Sequence, residues 1–257
     1  MVNVLCCSGY DPTGGAGIQA DIEAVAAQGA HALSLITALT VQDTRNVARV
    51  VAVDAALLAE QWHALWPDCR IAAIKVGLLG DAAQLPLLAS MFKQAGVPVV
   101  LDPILRAGGG AELTAAAFAQ RVQAELFPFC TLLTPNAAEA RRWTGEADLD
   151  AAAQKLLAAG AEQVLITGGD EPGPMAQNRW YAPGRPVRVF EQPRLPGSFH
   201  GAGCTLASAI AARLALGEGM EAALQAAQQY VHQTLLHAAA VGQGRRVPRR
   251  ILPVPAR

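Results

Sequence analysis

Charge is scarce in this chain. Only 16% of its 257 residues are Asp, Glu, Lys or Arg, and the net charge is −1. A nucleic-acid surface needs a clear positive excess, so the composition argues against one. The one basic cluster, Arg245-Arg246-Val247-Pro248-Arg249-Arg250, reads locally as a solvated tail. Cysteine is sparse too: Cys6, Cys7, Cys69, Cys130 and Cys204 are odd in number and show neither CxxC nor Cys/His metal spacing. No apolar run approaches the ~20 residues that span a bilayer, so no membrane partner is expected. The stretch from Met1 to Cys6 lacks a charged leader and reads as a first strand instead of a signal peptide. The expected setting is the reducing cytoplasm. Nor is there a repeat, linker or low-complexity tract, so residues 1–257 are expected to form one domain.

What is abundant is apolar sequence, at 52%, enough for a sizeable core. Strand-like and helix-like stretches alternate along it. Val2 to Cys7, Ala32 to Leu39, Val47 to Val53, Ile71 to Val76, Val97 to Leu101 and Val164 to Thr167 read as strands. Helices are expected from Ile18 to Gln28, Ala55 to Trp66, Asp81 to Gln94, Leu149 to Ala159 and Met220 to about Ala240. Arg179 to Ala182 and Pro186 to Glu191 look like an antiparallel pair at one edge. Continuous apolar strands between helices indicate an α/β fold, with a central, mostly parallel sheet and helices on both faces. Ligands in such sheets gather at the carboxyl ends of strands.

The chain is organised around Gly197-Ser198-Phe199-His200-Gly201-Ala202-Gly203-Cys204-Thr205. It leads into Leu206, Ile210 and Leu214, spaced as one buried helix face. The amides of Gly201, Ala202, Gly203 and Cys204 would then lie unpaired at a helix N-terminus, suited to an anion. Cys204 is expected there with a depressed thiol pKa. A Gly-rich turn with Cys204 as a small buried hydrophobe fits the same residues. Gln42, at a strand end, could pair with the edge of a flat heterocycle or simply terminate a turn. Asp102 and the Thr134-Pro135-Asn136-Ala137-Ala138-Glu139 segment also fall at strand ends, as Mg²⁺ ligands or as helix caps.

Six segments in order carry a resemblance. They are Asp11-Pro12-Thr13-Gly14-Gly15-Ala16-Gly17-Ile18-Gln19-Ala20-Asp21, Ile36-Thr37-Ala38-Leu39-Thr40-Val41-Gln42, Ile74-Lys75-Val76-Gly77-Leu78-Leu79, Val100-Leu101-Asp102-Pro103, Thr134 to Glu139, and His200 to Thr205. From Val4 to about Gly242 the chain resembles the hydroxymethylpyrimidine and phosphomethylpyrimidine kinases of thiamine biosynthesis, within the ribokinase-like superfamily. The resemblance implies a ribokinase-like fold and ATP-dependent phosphorylation of 4-amino-5-hydroxymethyl-2-methylpyrimidine and of its monophosphate, with Mg²⁺. It places Cys204 as the base and the amides of Gly201, Ala202 and Gly203 around the transferring phosphoryl. It assigns Asp11, Gly14, Ala16, Gln42 and Leu78 to the pyrimidine, and Thr167, Gly169 and Asn136 to the nucleotide. Asp102 and Glu139 go to Mg²⁺, and a homodimer is expected.

Three segments depart from the family, one of them Gly197-Ser198-Phe199, which replaces the more polar residues usual before the histidine. Thr167-Gly168-Gly169-Asp170 stands where a lysine and a histidine usually flank the Gly-Gly, and a Gly-rich, histidine-containing ending is replaced by Gly242-Gln243-Gly244-Arg245-Arg246. Arg245 or Arg246 is expected to supply the missing positive charge toward ATP. Pyridoxal kinase, or a pyrimidine-binding sensor without catalysis, are the competing readings.

Overall fold

The computed structural model describes residues 1–104 and 116–251. Nine strands form one sheet: β1 (Asn3–Tyr10), β2 (His31–Gln42), β3 (Val47–Ala52), β4 (Ile71–Val76), β5 (Val99–Leu101), β6 (Leu132–Leu133), β7 (Val164–Ile166), β8 (Met175–Tyr181) and β9 (Arg188–Pro193). Their order across the sheet is β3-β2-β1-β4-β5-β6-β7-β8-β9. The six strands from β2 to β7 in that order run parallel, while β3, β8 and β9 pair antiparallel at the edges. The chain starts at β1, winds out to β3, then returns to β4 on the other side. The β1/β4 boundary is therefore a topological switch point, where a crevice opens beyond the carboxyl ends.

Strand alternation sorts the core into two layers. Leu5 and Cys7 of β1, with Val99 and Leu101 of β5, face α2 (Ala55–Asp68), α3 (Leu85–Ala95), α4 (Ala116–Leu126), α5 (Ala137–Thr144) and α6 (Leu149–Ala158). Val4 and Cys6, with Val100, Leu132 and Leu165, face α1 (Gly17–Ala27), α7 (Ala202–Ala215) and α8 (Met220–Leu236). Side chains alternating with a period of two, apolar on both sides, give the continuous hydrophobic strands seen in the sequence.

The elements read from the sequence are present with shifted ends, while α4, β6 and α5 were not among them. β5 begins at Val99, because Pro98 has no N–H to donate; its carbonyl still accepts from Ile74 N–H at 2.8 Å. Asp81 caps a 3-10 turn at Ala82–Gln84 before α3 begins. The edge pair extends over Met175–Tyr181 and Arg188–Pro193. Helix α8 stops at Leu236, short of Ala240, since Ala239 leaves to exchange hydrogen bonds with Val247 at 2.9 and 2.8 Å.

Candidate active site

The loop after β1 is built around Asp11. Its Oδ1 accepts from Thr13 N–H and Thr13 Oγ1, both at 2.8 Å, and its Oδ2 accepts from Ala16 N–H at 2.8 Å and lies 2.8 Å from His200 Nε2. Burial raises the carboxyl, but the bonds from His200 and Thr13 more than offset this and hold it at about 2. The carboxylate thus folds its own loop and ties it to His200, just before α7. Gly17 is required at the end of this loop. Its φ is +60°, and a Cβ there would strike the carbonyl of Gly9.

Gly201 turns the chain into α7 with φ +88°, and no side chain caps the helix. A Cβ on Gly201 would meet the Gly15 carbonyl, so only glycine lets the two loops close on each other. At Gly203 the nearest neighbour of an added Cβ is Asp102 Oδ2 at 3.5 Å. The start of α7 therefore presents uncapped amides beside a carboxylate, in a cavity of about 640 Å³.

Close to Cys204 in the first turn of α7 lies a charged group that sequence reasoning passed over. Lys75 Nζ, fully buried, donates to Asp21 Oδ1 at 2.7 Å and Ser8 Oγ at 2.9 Å, and Ser208 Oγ donates to the same Asp21 oxygen at 2.7 Å. β4, α1, β1 and α7 meet in this cluster. A lysine inside the apolar strand Ile71–Val76, and an aspartate on the apolar face of α1, were its signals. A Cβ on Gly77 would come within 2.7 Å of Lys75 Nζ, so the turn after β4 also needs glycine.

These charges set the chemistry of Cys204. The expectation of a depressed pKa is overturned: burial pushes the thiol up to about 11, against the pull of Lys75, with Asp102 and Asp21 raising it further. The helix N-terminus cannot outweigh desolvation in so enclosed a place. Burial likewise lifts Asp102 to about 6, which Lys75 restrains and Asp21 adds to.

Every other residue assigned from sequence lines the same cavity except Gly14. Asp11, Ala16, Gln42, Leu78, Asp102, Asn136, Glu139, Thr167, Gly169, Gly201, Ala202, Gly203 and Cys204 converge there. Gly14 lies outside the lining; with φ +68° it closes the loop, donating to Asp11 O and accepting from Arg250. Asn136 and Glu139 serve as helix caps as well. Asn136 Oδ1 accepts from Glu139 N–H at 2.8 Å, and Glu139 Oε2 accepts from Asn136 N–H at 3.1 Å.

The basic ending is not a solvated tail throughout. Arg250 is 1% exposed, with its Nε donating to Thr205 Oγ1 at 2.8 Å and its other nitrogens to Gly14 O, Gly15 O and Glu23. Arg246 is outside the cavity lining and donates to Ala238 O, whereas Arg245 lines the cavity. Near Thr167 the cation is another one, Arg194, whose guanidinium donates to Gly169 O at 2.6 Å and Gly173 O at 2.7 Å. It was missed because nothing in the sequence connects β9 to the Gly168-Gly169 turn.

For Mg²⁺, the donor set fits an ion held largely by phosphate oxygens. Asp102 and Glu139 share the cavity, and among the described residues no group of three or more His, Cys, Asp or Glu could cage a metal. A buried carboxylate with a raised pKa is stabilised by a cation placed before it.

Comparison with known proteins gives the family and the fold. Residues 11–249 match the family described as phosphomethylpyrimidine kinase. The chain is 37% identical over 246 residues to a hydroxymethylpyrimidine/phosphomethylpyrimidine kinase of Synechococcus elongatus, covering 93% of this chain and 94% of that one. Among solved structures, an ADP complex of Bacillus subtilis pyridoxal kinase superposes with a TM-score of 0.88 at 28% identity, covering 97% of each chain. A phosphomethylpyrimidine kinase of Clostridium difficile gives 0.79 at 27%, covering 91% of this chain and 100% of that one. The match across residues 11–249 and the 37% identity over nearly the whole of both chains establish that the chain is a member of the phosphomethylpyrimidine kinase family, within the ribokinase-like fold.

Proposed function

We propose that this enzyme transfers the γ-phosphoryl group of ATP to the hydroxymethyl oxygen of 4-amino-5-hydroxymethyl-2-methylpyrimidine, and then to the resulting monophosphate, supplying the diphosphate for thiamine biosynthesis. The observation that carries this reading is the uncapped α7 N-terminus facing Asp102 in the cavity that also holds Gln42. Phosphoryl transfer rests on positioning and charge stabilisation, and this cavity supplies both.

Gln42 offers a donor and an acceptor to the aminopyrimidine edge, between Ala16 and Leu78. The amides of Gly201, Ala202, Gly203 and Cys204 stabilise charge on the transferring group. Thr167, Gly169 and Asn136 bound the nucleotide side, where Arg194 provides the positive charge that Thr167 lacks. Asp102 and Glu139 would hold Mg²⁺, which when bound neutralises phosphate charge. Cys204 takes the hydroxyl proton as a thiolate. With a pKa of about 11, only about one site in 10⁴ carries that thiolate at pH 7. The monophosphate needs no such base, because its second ionisation lies near pH 6.

The two transfers should therefore respond differently to pH and to Cys204. ATP consumption is measured with each acceptor between pH 7 and 9, with products identified by phosphorus NMR. Turnover of the alcohol should rise several-fold per pH unit and fall at least 100-fold in Cys204→Ala; turnover of the monophosphate should change far less. A flat profile for the alcohol would remove Cys204 from the base role. Pyridoxal is included because the Bacillus subtilis pyridoxal kinase superposes well on this chain. Turnover of pyridoxal alone would move the assignment to that vitamer, and no turnover of any acceptor would leave a sensor.

A cytoplasmic setting is consistent with all five cysteines being free. No helix among the described residues is long and apolar enough to cross a membrane. We also propose a homodimer built on the β2–β3 edge. There Leu39, Val41 and Val51 are 48%, 49% and 42% exposed, with Leu39 paired to Val51 across the strands.

A further inference from the structure

Arg245 is fixed by its backbone on two sides. Its N–H donates to Thr44 O at 2.9 Å, and the preceding Gly244 N–H donates to Thr44 Oγ1 at 2.9 Å. The following Arg246 exchanges backbone bonds with the other wall: its N–H donates to Ser198 O at 3.0 Å, and its carbonyl accepts from His200 N–H at 2.9 Å. The approach to Thr44 is close enough to need glycine, since a Cβ on Gly242 would lie 2.7 Å from Thr44 Oγ1. Arg245 is thus held between the turn after Gln42 and the segment that enters the anion hole at Gly201.

Its side chain lines the cavity, and Nε is buried with no hydrogen-bond partner among the described residues. The neighbouring arginines are committed elsewhere, Arg246 to Ala238 O and Arg250 to the Gly14 and Gly15 carbonyls. Asp11, the carboxylate on the same side of the cavity, already accepts four contacts from its own loop and His200. A guanidinium donor left unpaired by protein in a ligand cavity is satisfied by an anion from solution, and its fork suits phosphate.

We propose that Arg245 binds the phosphate of the phosphorylated pyrimidine, so that it selects the monophosphate over the free alcohol as acceptor. This rests on the kinase reading above. The free hydroxymethylpyrimidine offers no anion to Arg245, and the nucleotide side of the cavity has Arg194.

The test compares wild type with Arg245→Met and Arg245→Lys, measuring kcat/KM for the alcohol and the monophosphate, and KM for ATP. The ratio of kcat/KM for monophosphate over alcohol should fall at least tenfold in Arg245→Met, mainly through KM for the monophosphate, with Arg245→Lys intermediate. Equal losses on both acceptors, or an effect confined to KM for ATP, would overturn the assignment. If wild type turns over neither acceptor, the kinase reading fails separately. Calorimetric titration with the monophosphate, without ATP, then decides: weaker binding by Arg245→Met supports the site, and equal affinity overturns it.

Discussion

At Gly201 and Gly203 the same residue type answers two different needs. Gly201 needs its positive φ and its contact with the Gly15 carbonyl, so a side chain there disrupts the fold. Gly203 stands in the first turn of α7 with an ordinary helical backbone and nothing closer than 3.5 Å to an added Cβ. Alanine at 203 should therefore raise stability by up to about 1 kcal/mol through helix propensity. On the proposed reading the methyl would occupy the space that the transferring phosphoryl needs, and kcat should fall by two orders of magnitude or more. Urea unfolding alongside steady-state kinetics checks both halves. Full kcat in Gly203→Ala would place the phosphoryl group elsewhere.

Between elements, two buried cations do the joining. Lys75 unites β4 with Asp21 of α1, while Ser208 of α7 bonds to the same aspartate, so one polar cluster joins β4, α1 and α7. Arg250 works from the opposite end of the chain, drawing Gly14 O and Gly15 O toward Thr205 of α7. Thr205 Oγ1 in turn donates to Gly201 O at 2.7 Å, so the arginine reaches the turn that shapes the hole. Arg250→Met leaves neutral acceptors unpaired in a buried site and should cost about 1–3 kcal/mol, read from denaturant midpoints. A loss below about 1 kcal/mol would mean that the loop after β1 is held without the strap.

The whole molecule places its candidate site beyond the carboxyl ends of the parallel strands, while Val41 and Leu39 of β2 are the most exposed large hydrophobics among its described strands. At 26.7 kDa per chain, a homodimer should sediment at twice that mass, and the Leu39→Glu, Val51→Glu double variant should sediment as a monomer. A monomeric wild type would refute the interface. Tyr10, at the cavity and 38% exposed, pairs with Leu39 in the sheet, so the proposed interface would adjoin the Gln42 side of the cavity.

Sequence by itself determined the alternation of elements, the parallel sheet covered on both faces, the placing of Gln42, Asp102 and Asn136 at strand ends, and that of Cys204 at a helix N-terminus. Those are local or periodic properties: a strand of Val and Leu buried on both sides shows its environment residue by residue. Tertiary structure alone decided the rest. The protonation of Cys204 depends on burial and on Lys75 and Asp21, which come from different elements and have no fixed spacing to it. Arg250 became a core residue because the chain beyond α8 folds back across the loop at Gly14, more than 200 positions away. The capping box at Asn136 and Glu139 was legible from sequence, since it is closed over three residues. The division of labour among Arg194, Arg245 and Arg246 was not, because each guanidinium is assigned by partners the chain brings to it only after folding.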